Sequence, residues 1–105
     1  MTSLDPSPSL RIDEQPDGVI YLSGELDMAS APQLRTVLQR LIDSGAQRVI
    51  LDAAELSFCD STGLGVFVWV NQMLPTDATL VLRNPTERLG QLLRTTHLDH
   101  TFDVR

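Results

Sequence analysis

The segment Phe58-Cys59-Asp60-Ser61-Thr62-Gly63-Leu64-Gly65 sets two hydroxyls between a carboxylate and two glycines. It follows the apolar run Val49-Ile50-Leu51 and opens the apolar stretch from Leu64 to Val70. This order implies a buried strand followed by a helix start. Backbone N–H groups at a helix start lack intrahelical partners, and the helix dipole is positive there. Such a place suits a phosphate, either bound or carried covalently by Ser61 or Thr62. Gly63 and Gly65 remove side chains, so the backbone of another molecule could approach closely. The same spacing also suits a plain N-cap, with Asp60 or Ser61 accepting from the first-turn N–H groups.

Other groups offer less chemistry. His97 and His100 flank Leu98-Asp99, but i, i+3 spacing with one nearby acid is sparse for a metal site, and exposed loop histidines are the simpler reading. A hydrolase built on Ser61, Asp60 and a distant histidine lacks the G-x-S-x-G elbow, and so short a chain leaves little room for a substrate pocket. Cys59 is the single cysteine, which excludes an intramolecular disulfide and a multi-cysteine metal centre. With no histidine or basic residue beside it in sequence, it reads as a buried neutral thiol. Arg83, Arg88 and Arg94 flank the last helix and read as a solvated face with Glu87.

The elements that would position these residues follow from periodicity. Residues 1–9 hold prolines and serines without apolar periodicity and are expected to be a flexible tail. Leu10 and Ile12 fit a short strand, Pro16-Asp17-Gly18 a turn, and Val19 to Leu22 a second strand, together a hairpin. Ser30-Ala31-Pro32-Gln33 resembles a capping box, with Pro32 in the first helical turn. Leu34, Val37, Leu38, Leu41 and Ile42 then give one apolar helical face, and Gly45 is a natural stop. Val49-Ile50-Leu51 and Leu80-Val81-Leu82 read as strands buried on both faces. Asn84-Pro85-Thr86-Glu87 looks like a second capping box before Leu89, Leu92 and Leu93. Thr101 to Val104 fits a last edge strand.

Residues 66–70, Val-Phe-Val-Trp-Val, are ambiguous, because β-branched and aromatic content favours a strand. Strands near residues 20, 50 and 80 recur at the length of a βαβ unit, so residues 61–74 are expected to be the intervening helix. Its core face would be Leu64, Phe67 and Val68, packed on Ile50 and Val81. Half of the remaining apolar residues, Val66, Trp69, Val70 and Met73, would stay accessible and form an apolar patch beside Ser61.

Composition bounds the rest. A chain of 105 residues with 42% hydrophobic and 21% charged residues is an ordinary globular domain. Formal net charge is -6, and all eight basic residues are arginine. Nucleic acid is therefore an unsuitable partner, whereas a partner with a basic patch is favoured. No stretch approaches the ~18 apolar residues of a membrane span, and the N-terminal residues show no basic region followed by an apolar one. A cytoplasmic location without membrane contact is expected.

The run Asp60-Ser61-Thr62-Gly63-Leu64-Gly65-Val66 resembles the signature of STAS domains, in particular the anti-sigma factor antagonists. Gly24-Glu25-Leu26-Asp27 is similar to that family's G-E-[LI]-D turn. Val49-Ile50-Leu51-Asp52 followed by Leu56-Ser57-Phe58 is similar to its strand and the approach to the serine. The resemblance covers residues 10–104 in order. It implies an α/β fold: one STAS-like domain over residues 10–105, with a mixed four- to five-stranded sheet and helices packed largely on one side. Helices are expected at 31–44, 61–74 and 86–95.

The resemblance also implies roles. Ser61, directly after the motif aspartate, would be the phosphoacceptor. The partner would be an anti-sigma factor of the GHKL serine-kinase type, bound by the unphosphorylated chain and released on phosphorylation, and a metal-dependent serine phosphatase would restore the serine. Asp27, Asp60, Ser61, Thr62 and Gly63 would form the binding edge. Trp69, where relatives often have a small or polar residue, would either join that interface or fill a gap against the neighbouring helix. The chain would be a substrate and binding module rather than an enzyme, without cofactor or metal, and a monomer when free. The alternative is a STAS subunit that docks constitutively in a transporter or sensory complex, without phosphorylation.

Overall fold

The computed structural model describes residues 9–105. The expected tail therefore lies outside the described residues, except for Ser9, whose carbonyl accepts from the Glu25 N–H at 2.6 Å. Nine elements follow in order. They are β1 (Leu10–Glu14), β2 (Val19–Leu26), α1 (Ala31–Asp43), β3 (Arg48–Cys59), α2 (Ser61–Met73), β4 (Thr79–Arg83), α3 (Glu87–Thr95), a 3-10 turn at Leu98–His100, and β5 (Asp103–Val104). The strands form one sheet in the order β1-β2-β3-β4-β5. β1 and β2 form the antiparallel hairpin, and every other pair is parallel. This is the expected single α/β domain with a mixed sheet, and the ambiguous segment 66–70 is helical.

The helices lie on one side of the sheet. Leu34 and Leu38 of α1, Leu64, Phe67 and Val70 of α2, and Leu89 and Leu93 of α3 share one buried cluster with alternate strand residues. On the strands that cluster takes Ile20 and Leu22, Val49 and Leu51, Leu80 and Leu82. Side chains alternate faces along a strand, so Ile50 and Val81, which pair with each other, belong to the opposite face. This corrects the expected packing of α2 on Ile50 and Val81. A three-residue apolar run does not reveal its own parity, and one residue of slip exchanges the two faces. Val68 is only half-buried, whereas Leu64 and Phe67 are core. Phe67 also meets Phe102 edge-to-face, with ring centroids 6.3 Å apart.

The expected apolar patch on α2 is formed only in part, by Met73 and the half-buried Trp69. Val66 and Val70 are 5% and 0% exposed, because α1 lies alongside α2 and covers that flank. Met73 is the most open of the four, at 48%.

Both expected capping boxes are corrected. Ser30 has φ -99° and ψ -19°, helical rather than extended, and its hydroxyl caps nothing. That hydroxyl donates instead to the Glu25 carbonyl at 2.8 Å, and Gln33 Nε2 donates to the Leu10 carbonyl. Before α3, Asn84 adopts a left-handed φ of 54°, and Thr86 two residues later is the N-cap, accepting from the Leu89 N–H at 3.2 Å.

Candidate functional site

Two aspartates stand side by side where β2 and β3 end. Leu26 pairs with Cys59 in the parallel register, and the Asp60 N–H donates to the Leu26 carbonyl at 3.2 Å. Asp27 and Asp60 therefore follow two adjacent strands at their carboxyl ends, where open α/β sheets present their sites. Each carboxylate is already engaged. Asp60 caps α2, its Oδ1 accepting from the Gly63 N–H at 3.0 Å, so the plain N-cap reading of Asp60 holds. Asp27 Oδ1 accepts from the Ala29 and Ser30 N–H groups, each at 3.0 Å, and this turn, not Ser30, leads into α1. Ser61 and Thr62 are exposed in the first turn of α2.

The glycines of the two motifs have separate duties. Gly24 has φ +96°, and a Cβ there would collide with the Ser9 carbonyl oxygen, so only glycine lets the start of β1 lie against β2. Gly63 is buried, and a Cβ there would approach Leu26 Cγ to 2.7 Å and Cys59 Sγ to 2.8 Å. The close approach anticipated for another molecule at Gly63 is thus made by the chain's own strand ends. Cys59 is half-buried, and burial, with the Asp60 charge beside it, pushes its thiol up to about 12. It is the neutral thiol that the sequence suggested.

Trp69 lies two turns beyond Ser61 and is half-buried against the core. The Arg35 guanidinium of α1 stacks over its ring, 4.4 Å from the centroid. Its indole therefore meets α1 and keeps part of its surface open. Beside it, a groove of about 550 Å³ runs between the start of α1 and α2, touching Thr62, Gly65, Val66 and the highly exposed Met28. On the other flank of the edge, Phe58 is 41% exposed.

A polar network on the helix-free face of the sheet escaped the sequence reading. Asp52 is 4% exposed, and its carboxylate accepts from the Ala54 N–H, Arg83 Nε and Asn84 Nδ2 at 2.9–3.0 Å. Burial pushes this carboxyl up, but those three hydrogen bonds and the Arg83 charge hold it below the ordinary carboxylate value. Arg83 also donates to the Tyr21 hydroxyl at 3.0 Å, so it is a strut rather than a solvated charge. The available signal was an aspartate set between Leu51 and Ala53 in a buried run. His97 and His100 are both exposed, and no cluster of three metal-ligating side chains occurs among the described residues. No helix among them is long and apolar enough to cross a membrane.

A family model described as "Mlab, STAS domain" matches residues 10–104. The chain belongs to the STAS family. Among curated relatives, this STAS chain is 40% identical over 87 residues to the anti-sigma-B factor antagonist of Bacillus subtilis, covering 81% of this chain and 78% of that one. It is 36% identical over 86 residues to the anti-sigma-B factor antagonist of Staphylococcus epidermidis, covering 81% and 80%. Among solved structures, an anti-sigma factor antagonist from Mycobacterium paratuberculosis superposes with a TM-score of 0.75 at 26% identity, covering 95% of the STAS chain and 87% of its own. The match includes both motifs, from the Gly24–Asp27 turn through the Asp60–Gly65 helix start.

Proposed function

We propose that this STAS chain antagonises an anti-sigma factor and that phosphorylation of Ser61 switches it off. Unphosphorylated, it binds a GHKL-type anti-sigma kinase and frees the sigma factor. The kinase phosphorylates Ser61 and releases the chain, and a metal-dependent serine phosphatase restores it. The chain acts as substrate and binding module rather than as an enzyme, as a cytoplasmic monomer when free. The observation that carries this reading is the placement of Ser61. It is exposed at the first position of α2, beside a capping Asp60 and next to Asp27 at the adjoining strand end. The names of the relatives at 40% and 36% identity support the antagonist role.

The charge arithmetic is adequate for a switch. A phosphate adds about -1.5 to -2 charges at neutral pH. Beside two aspartates it must be desolvated when a partner closes over the edge, although the α2 dipole tolerates it in the free chain. A hundredfold loss of affinity requires only about 2.8 kcal/mol. Incubation with the candidate kinase and ATP, followed by phosphosite mapping, tests the reading. Ser61 should carry the label, and Ser61→Ala should abolish labelling while still binding the kinase. Stoichiometric labelling of Ser61→Ala, at Thr62 for example, would overturn the assignment.

A further inference from the structure

Gly65 has no reason within its own chain to be glycine. It lies inside α2, where glycine is less favourable than any residue but proline. It is not among the glycines with positive φ, which are Gly18, Gly24 and Gly45. A Cβ built on it meets no heavy atom within 4 Å. Gly63 is the opposite case, pressed against Leu26 and Cys59. The open space above Gly65 belongs to the groove between α1 and α2. Met28, Ala31 and Pro32 line one wall, Thr62 and Val66 the other, and Arg35 supplies the only charge. A chain of net charge -6 thus carries here an apolar groove with one cation and no carboxylate.

We propose that this groove seats an apolar side chain of the anti-sigma factor directly over Gly65, with an acidic group of that partner against Arg35. The inference rests on the proposed function and names the surface through which it works. Thr62 lines the groove and adjoins Ser61, so the groove opens at the phosphoacceptor. Met28, 75% exposed, gives an adaptable wall for an aliphatic or aromatic group. Arg35 is held by its stacking on Trp69, which leaves its edge donors oriented for a carboxylate. Missing side-chain volume at Gly65 lets the inserted group reach the helix backbone. A phosphate on Ser61 then stands at the groove mouth and expels the same segment.

Titration calorimetry of the full chain against a purified GHKL-type anti-sigma kinase tests this. Gly65→Ala should raise the thermal midpoint by about 4 °C, because alanine replaces glycine in a helix with nothing to strike. Gly65→Leu should fill the groove and weaken binding at least tenfold. Met28→Glu, at a site too exposed to affect folding, should weaken it comparably, and Arg35→Gln should flatten the salt dependence of binding. Ser61→Glu is titrated alongside. If Gly65→Leu and Met28→Glu both bind within twofold of wild type while Ser61→Glu is weakened, the groove is overturned and the functional reading stands. If the wild-type chain forms no complex with the kinase, the functional reading falls and the groove assignment with it. A concentration-dependent dimer of the wild-type chain that Gly65→Leu abolishes would assign the groove to a second copy and overturn the proposal.

Discussion

Cys59 and Gly63 are packed so closely that a Cβ on the glycine would come within 2.8 Å of the thiol sulfur. With Leu26 on the other side, this contact seats the first turn of α2 on the ends of β2 and β3. The position of Ser61 is thereby set by three residues that do no chemistry.

Gly63→Ala should therefore cost about 1–3 kcal/mol, the usual effect of overpacking a site that cannot yield. Urea denaturation followed by circular dichroism would show it as a lowered midpoint with an unchanged slope. Partner affinity, corrected for the folded fraction, should fall much less than stability does. An unchanged midpoint would mean that α2 shifts freely on the strand ends.

Ser61→Asp should weaken kinase binding about tenfold, roughly 1.4 kcal/mol. One carboxylate carries less charge than a phosphate, so the mimic should fall short of true phosphorylation. A titration at fixed ionic strength reads this directly. Equal affinity for wild type and mimic would favour constitutive docking, as in the alternative STAS role.

Trp69→Ala should lower stability by about 2 kcal/mol, below the range for fully buried aromatics because the ring is half-buried. Arg35→Ala should cost under ~1 kcal/mol, the scale of an exposed cation–π contact. The double variant should cost less than the sum, since the stack can be lost only once. Strict additivity in denaturation midpoints would show that the 4.4 Å stack carries no coupling.

Asp52 should govern the acid limb of stability. Its carboxyl is held below the ordinary value of 3.8, so its contribution is present in full above that value. It is lost as pH falls through the depressed folded value, where protonation breaks the acceptance from Arg83 and Asn84. Asp52→Asn should cost about 2 kcal/mol at pH 7 and flatten the fall in stability below about pH 4. A wild-type midpoint insensitive to pH between 5 and about 2 would sink this account.

Local order was legible in the chain because its signals are local. The i, i+3, i+4 apolar spacing of Leu34, Val37, Leu38, Leu41 and Ile42 specifies α1 wherever it docks. The apolar runs at 49–51 and 80–82, separated by the length of a βαβ unit, specify parallel strands with a helix between. That spacing overruled the β propensity of residues 66–70 correctly. The motifs likewise placed Ser61 at a helix start and offered Asp60 or Ser61 as its cap, since a cap needs only residues three apart; the structure selects Asp60.

What the tertiary structure alone decided are relations between residues distant in sequence. Nothing local distinguishes Gly63 from Gly65 within Gly-Leu-Gly; only the register pairing Leu26 with Cys59 presses on the first and leaves the second open. Ser30 looks like a cap until the Glu25 carbonyl at the end of β2 takes its hydroxyl and Asp27 takes over the turn. Val66 and Val70 look available until α1 covers them, and Arg83 looks solvated until Asp52 of the neighbouring strand meets it. Periodicity states that a helix has an apolar face, and a motif states that a backbone group needs a partner. Which surface covers that face, and which atom becomes that partner, depends on strand order and register, for which the chain carries no local signal.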